Sequence, residues 1–268
     1  MKIGNCEFDV KNETYIFGIL NVTPDSFSDG GSFNSVEKAM SHVKQMIEDG
    51  VDVIDVGGES TRPGYTRISD EEEIDRVVPV IKAIKAGFDI PVSIDTYKSR
   101  VAEAAIDAGA DLVNDIWGLK ADDRMAEVIA RKKVPCCLMH NRKEAVYEDY
   151  LSDVRADLLE CIRLAKAAGI EDDKIILDPG IGFGKTLEQN LKLMKHLEIV
   201  TELGYPVLLG TSRKSMIGLT LDLPKDEREE GTLVTTVMGV EKQMAFVRVH
   251  DVKKNRRAID MTRAILRA

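Results

Sequence analysis

Helical stretches that end in glycine and pass at once into a β-rich run recur along this chain, and that punctuation narrows the folds open to it. Gly50 precedes Val51 to Val56, Gly87 precedes Ile90 to Ile94, Gly109 precedes Asp111 to Val113, Gly169 precedes Lys174 to Leu177, and Gly204 precedes Val207 to Leu209. Glycine enters the left-handed conformation that closes a helix at little steric cost, so each is expected just beyond a helix C-terminus. Helix starts are marked as well: Ser69 with Glu72 and Thr186 with Gln189 have the spacing of a capping box. Apolar runs ending near Leu20, Val56, Ile94, Val113, Met139, Leu177, Leu209 and Val249 give roughly eight strands. Strands that alternate with helices pair in parallel through crossovers, and this many units favour a closed (β/α)8 TIM barrel over an open sheet. Residues 1–268 read as a single domain. The segment Lys2 to Val10, with Thr14 onward folding back around Lys11, Asn12 and Glu13, is expected to form a short N-terminal β-hairpin at the barrel bottom.

A chain of 268 residues with 44% hydrophobic content fills one large core. The net charge of −9 argues against nucleic-acid or membrane-surface binding, which calls for broad basic faces. Lys2, Glu7 and Asp9 interrupt the first ten residues, leaving no apolar core for a signal peptide, and no run reaches membrane-spanning length. The expected location is the cytoplasm. Cys6, Cys136, Cys137 and Cys161 lack metal or redox spacing and read as free thiols, with one of the adjacent pair facing inward.

Polar residues gather where the apolar runs stop. Asn21, Asp55, Asp95, Asn114 with Asp115, Asp178, Lys214, Arg248 and His250 all fall at strand ends, which a parallel barrel brings to one face. A lone aspartate such as Asp95 caps a helix as readily as it binds a ligand; the coincidence of so many favours a site. Two chemistries are present. Asp95, Asn114 and Asp178 offer carboxylate and amide groups suited to the fused donors and acceptors of an aminopyrimidinone edge. Arg62, Arg213, Lys214, Arg248 and His250, with the glycine-bearing turns Gly57–Gly58 and Gly180–Gly184, suit a phosphate. Surface ion pairs for Arg62 and Arg213, and a plain flexible turn at Gly180–Gly184, are the alternatives. His42 and His196 lie on helical stretches and are read as structural.

Ordered blocks then carry a family resemblance: Gly18 to Gly31 (GILNVTPDSFSDGG), Gly57 to Gly64 (GGESTRPG), Ile94 to Thr96, Asn114–Asp115, Asp178 to Lys185 (DPGIGFGK), Ser212 to Ser215 and Arg248 to Val252. Together they span nearly the whole chain, which resembles the dihydropteroate synthases of the pterin-binding barrel family. One stretch departs: after Met139 and His140 comes Asn141-Arg142-Lys143-Glu144, where many members have a Met-Gln-containing segment, so from this region Met139 alone is carried across.

The resemblance implies condensation of 6-hydroxymethyl-7,8-dihydropterin diphosphate with para-aminobenzoate, giving 7,8-dihydropteroate and diphosphate in folate biosynthesis, by Mg²⁺-assisted dissociative loss of diphosphate. It implies that Asp95, Asn114, Asp178, Lys214 and Met139 bind the pterin, with Arg248 stacked on the ring and reaching the diphosphate. Asn21, as the Mg²⁺ ligand, His250, Thr61 and Arg62 match the diphosphate site, with Asp55 beside them. Phe27, Pro63, Phe183, Lys214 and Ser215 match the aminobenzoate pocket, and Asp29 and Arg62 sit on loops that would close over the diphosphate. Asn21, Asp29, Arg62, Lys214, Arg248 and His250 are thereby the catalytic set. A homodimer and competition by sulfonamides are further implications. A corrinoid-linked methyltetrahydrofolate methyltransferase shares the pterin pocket but has no need of the Asn21–Gly31 loop or of Ser212–Ser215; a non-catalytic pterin-binding paralogue would be expected to lose loop residues that are all present here.

Overall fold

The computed structural model describes residues 1–23, 32–59 and 67–268. A two-stranded antiparallel hairpin, β1 (Lys2–Ile3) and β2 (Cys6–Glu7), precedes the barrel. Eight parallel strands follow: β3 (Tyr15–Asn21), β4 (Val53–Gly57), β5 (Val92–Asp95), β6 (Leu112–Asp115), β7 (Cys136–Met139), β8 (Ile175–Asp178), β9 (Leu208–Leu209) and β10 (Phe246–Val249). Around them run α1 (Ser32–Glu48), α2 (Asp70–Gly87), α3 (Ser99–Asp107), α4 (Met125–Lys132), α5 (Tyr150–Ala167), α6 (Leu187–Lys195), α7 (Glu198–Thr201), α8 (Ser215–Leu221), α9 (Glu229–Glu241) and α10 (Val252–Leu266). The strands lie in the order β8-β7-β6-β5-β4-β3-β10-β9, and a parallel bridge from Leu177 to Val207 closes the ring. The expected (β/α)8 barrel is the observed one.

Two apolar cores follow from strand periodicity, since successive side chains face opposite sides. One lies between strands and helices and includes Ile54, Ile94, Val113, Cys136, Leu177 and Val247. The other fills the barrel's lower interior with Phe17, Val53, Leu112, Cys137, Ile176, Leu208 and Phe246. Cys137 is therefore the inward member of its pair and Cys136 the outward one. Ile3 and Phe8 pack beneath the inner core, with Phe8 meeting Tyr15 and Phe246 edge-on at centroid distances of 4.8 and 5.8 Å. That seals the bottom.

Local details differ from the sequence expectations at three places. The hairpin is confined to Lys2–Glu7, turning at Gly4 (φ 56°), whereas Lys11–Glu13 form a separate turn gathered by the Asp9 carboxylate, and Tyr15 already belongs to the barrel. Gly50, Gly109, Gly169 and Gly204 have positive φ as expected, but Gly87 is the last residue of α2, and the extended Phe88 caps it instead. Thr186 and Gln189 form a complete capping box; Ser69 receives the Glu72 N–H, but the Glu72 carboxylate turns to Arg76 rather than back to the cap. Among the described residues no helix is long and apolar enough to cross a membrane.

Candidate active site

The inner face of the barrel changes character in one step along most of its strands. Two residues beyond Phe17, Val53, Leu112, Cys137, Ile176, Leu208 and Phe246 come Ile19, Asp55, Asn114, Met139, Asp178, Gly210 and Arg248, so the same period-two rule that builds the apolar floor raises a polar layer above it. Ser93 and Asp95 join that layer from β5. Asp55, Ser93, Asp95, Asn114 and Asp178 are all buried.

Arg248 holds the layer together. Its Nε donates to Asp55 Oδ2 at 2.5 Å and its Nη2 to Asp95 Oδ2 at 2.6 Å. Burial opposes the guanidinium charge, but the two carboxylates outweigh it and hold Arg248 above its ordinary range. Burial pushes Asp95 up to about 7, against the pull of Arg248 and with a further push from Asp55. Asp55 Oδ1, Asp95 Oδ1 and Ser93 Oγ are buried without a hydrogen-bond partner among the described residues. Buried polar atoms are rarely left so in a finished structure, and three in one layer mark a place for ligand donors and acceptors. Ser93 was not singled out in the sequence; its position two residues before Asp95 on one strand was the signal.

Across the layer, Asp178 Oδ1 accepts the Gly180 N–H at 2.7 Å. Burial raises the Asp178 pKa and nearby Lys214 moderates it. Lys214 donates from Nζ to the Ile181 carbonyl and stands 4.6 Å over the Phe183 ring. Burial lowers its pKa to about 8, against the carboxylates of Asp178 and Asp95. A Cβ on Gly210 would lie 3.6 Å from Asp178 Oδ2, 3.8 Å from Lys214 Nζ and 3.9 Å from Arg248 Cβ, which brings those three groups round one point. Gly57 does the same for Asn21 Oδ1 and Asp95 Oδ2, each 3.7 Å from its would-be Cβ.

Around this centre, buried Met139 packs with Tyr97, Ile116, Trp117 and Phe183. His250 Nδ1 and Ser212 Oγ are 2.9 Å apart, and Ser212 Oγ also accepts the His250 N–H at 3.2 Å. Ser215 is the exposed first residue of α8. Two sequence assignments are redirected. Asp115 faces away from the pocket and takes the N–H groups of Trp117 and Leu119, at 2.9 and 2.7 Å, fixing the turn after β6. Arg213 pairs with buried Glu229 at 3.3 Å. Asp251 caps α10 through Lys254 N. His42 is exposed on α1, and His196 ends α6 beside Glu198. Phe27, Asp29, Thr61, Arg62 and Pro63 lie outside the described residues.

A metal at this mouth would find few protein ligands, because no group of three His, Cys, Asp or Glu among the described residues could hold one. Asn21 contributes a half-buried amide oxygen that accepts no hydrogen bond from them. That donor set fits a Mg²⁺ whose shell is completed by substrate oxygens and water.

The chain that builds this acid-and-amide layer, bridged by arginine and flanked by a lysine, matches the family of pterin binding enzymes over residues 17–250. The dihydropteroate synthase of Clostridium beijerinckii is 65% identical over 268 residues, 100% of both chains. The crystal structure of the Clostridium difficile dihydropteroate synthase in the presence of pteroic acid superposes with a TM-score of 0.95 at 49% identity, covering 98% of this chain and 100% of that one. That of the Yersinia pestis enzyme with a sulfonamide drug gives 0.93 at 39% identity, covering 100% and 99%. The chain belongs to the dihydropteroate synthases, transferases of the pterin-binding family.

Proposed function

We propose that this chain condenses 6-hydroxymethyl-7,8-dihydropterin diphosphate with para-aminobenzoate, forming 7,8-dihydropteroate and diphosphate. The observation that carries this reading is the buried layer of Asp55, Ser93, Asp95, Asn114 and Asp178 under Arg248 and Lys214, with three polar atoms still open. Asp95 and Asp178 accept the N–H groups of the pterin edge, and Asn114 offers both a donor and an acceptor. Met139 walls the ring. Arg248, with Nε and Nη2 committed to carboxylates, keeps Nη1 for substrate and presents a flat cationic face for stacking.

In the reaction the bond from the exocyclic methylene carbon to the diphosphate oxygen breaks, and diphosphate leaves with the electron pair. The amine nitrogen of para-aminobenzoate gives its lone pair to that carbon and releases a proton to water. An aryl amine is already neutral at pH 7, so the barrier lies mainly in leaving-group departure, which positive charge fixed at the mouth accelerates. Arg248 and Lys214 supply it, joined on this reading by Arg62, while His250 and Thr61 offer hydrogen bonds to the diphosphate and the Asp29 loop closes over it. When bound at Asn21, Mg²⁺ adds charge against the diphosphate. Phe27, Pro63 and Phe183 form apolar walls for the aminobenzoate ring, with Lys214 and Ser215 toward its carboxylate. Sulfonamides, sharing that ring, compete for the same place.

We also propose a cytoplasmic homodimer. Leu219 and Leu221 on α8, Val234 on α9, and Met261, Ile265 and Leu266 on α10 are exposed, and α9 packs against α10 on one side and through Gly231 against Ile217 and Leu221 of α8 on the other. A second copy is the occupant that such a face fits.

The purified chain, given both substrates and Mg²⁺, is expected to release diphosphate and dihydropteroate in equal amounts. Pterin binding with no diphosphate released overturns the catalytic reading in favour of a binding protein.

A further inference from the structure

The segment after His140 departs from the family pattern, yet it is tied to the site by a chain of polar contacts. Lys185 follows the turn at Gly180–Gly184, and its Nζ donates to Gly180 O at 2.8 Å, Phe183 O at 3.0 Å and His140 Nδ1 at 2.7 Å. On the other side of the fully buried imidazole, Nε2 meets Asp157 Oδ2 at 3.0 Å on α5. Asp157 is held in turn by Arg142, from Nε at 2.6 Å and Nη2 at 3.2 Å. Arg142 lies 4.4 Å over the Tyr147 ring, and Tyr147 OH donates to Gly184 O at 2.6 Å.

Counting donors places the hydrogens. Desolvation favours a protonated Asp157, but hydrogen bonds from His140 and Arg142 outweigh it and hold the carboxyl below its usual range, so it only accepts. His140 Nε2 therefore carries a hydrogen, and Nδ1 of the neutral ring accepts. The three N–H groups of Lys185 then meet three acceptors, with none left over on either side. Burial lowers His140 to about 4 and Lys185 to about 7, so the proton between them rests on the lysine.

The turn itself has no slack. A Cβ on Gly180 (φ 68°) would lie 1.9 Å from His140 O, and one on Gly184 (φ 54°) 2.4 Å from Arg142 O. From this turn come the Gly180 N–H on Asp178, the Ile181 carbonyl that takes the Lys214 ammonium, and the Phe183 ring beneath it. We propose that Lys185, oriented by His140, is a positioning residue: it fixes the Gly180–Gly184 turn so that Ile181 and Phe183 hold Lys214 over the substrates. The inference rests on the proposed function only for what those substrates are.

Two substitutions separate the halves of the imidazole. His140→Asn keeps an oxygen near the Nδ1 position, able to go on accepting from Lys185, whereas His140→Gln reproduces Nε2 and loses that acceptor. Lys185→Met removes the donor. Lys185→Met and His140→Gln are expected to raise KM for para-aminobenzoate on the order of tenfold, because loosening by a fraction of an ångström weakens a positioned group. Affinity for 6-hydroxymethylpterin, measured by calorimetry, should fall by a smaller factor than KM for para-aminobenzoate rises, since Asp95 and Asn114 stand on strands outside this turn and only Asp178 and Lys214 adjoin it. His140→Asn should stay near wild type in both. Equal losses in His140→Asn and His140→Gln, or a Lys185→Met protein with a lowered thermal midpoint and unchanged KM, make the network mere packing and overturn the proposal. Nitrogen-15 ring spectra of the wild type, assigned with His140→Asn, need no turnover: at pH 7 Nε2 should carry a hydrogen and Nδ1 none, and a protonated Nδ1 overturns the network. A wild type that makes no dihydropteroate counts against the proposed function, and the nitrogen spectra then decide the network alone.

Discussion

Arg248 touches two carboxylates, Asp55 and Asp95, that lie 193 and 153 residues away in the chain. A rim arginine paired with a neighbour contributes about 0–1 kcal/mol to folding, but removing the shared partner of two buried acids strands their charge, which costs about 3–5 kcal/mol. Arg248→Ala is therefore expected to lower the unfolding midpoint of the ligand-free protein as well as slowing diphosphate release by about 10²-fold or more. An unmoved midpoint would show that solvent replaces the guanidinium. Asp178→Asn exchanges an acceptor for a group that also presents donors, so pterin affinity should fall by about 2–4 kcal/mol in calorimetry; unchanged affinity leaves Asp178 as the anchor of the Gly180 turn and nothing more. Sequence alone marks Asp95, Asn114, Asp178 and Arg248 as strand-end residues, because period and chain position suffice for that. It does not show that the arginine is the acids' counter-ion, since pairing across the barrel depends on register, nor that Asp115, one residue past Asn114, faces the opposite way into a turn.

Within single elements, pH separates roles. His140, at the end of β7, has a folded pKa of about 4 against 6.5 for the free side chain. Between those values the unfolded chain binds the extra proton and the folded one does not, so the contribution is intact above about pH 6.5 and is lost as pH falls through about 4. Unfolding free energies from urea titrations at pH 7 and pH 4.5 should differ more in the wild type than in His140→Asn, by up to about 3 kcal/mol; parallel losses would mean that the ring stays neutral for no energetic reason. Legibility at this scale follows how local the cause is. The Thr186 cap needs only the residue three places on, and it forms as spaced. The Glu72 carboxylate had a choice between its cap and Arg76, one turn away, and the cation won. Gly87 and the hairpin boundary were misread because both depend on where a neighbouring element begins.

For the molecule as a whole, the proposed pairing of chains through α8, α9 and α10 predicts twice the monomer mass in light scattering, and Val234→Lys, placing charge in that face, should yield monomers. A Val234→Lys protein still of double mass would move the interface elsewhere. The closed barrel is legible from the eight-fold alternation, whereas the make-up of its last junction is not: it is an isolated bridge between Leu177 and Val207, which no local pattern announces. The sealed floor has one more consequence. With Ile3 and Phe8 stacked under Phe17 and Phe246, the barrel is a cul-de-sac, and everything that enters must leave by the same door. On the proposed reading the pterin lies deep and the aminobenzoate at the mouth, so traffic is last in, first out. In a pulse and chase, labelled pterin diphosphate already aboard should be carried into product as unlabelled para-aminobenzoate rises, while labelled para-aminobenzoate bound first should wash out. Equal capture of both labels would mean that the blind alley has a second way in.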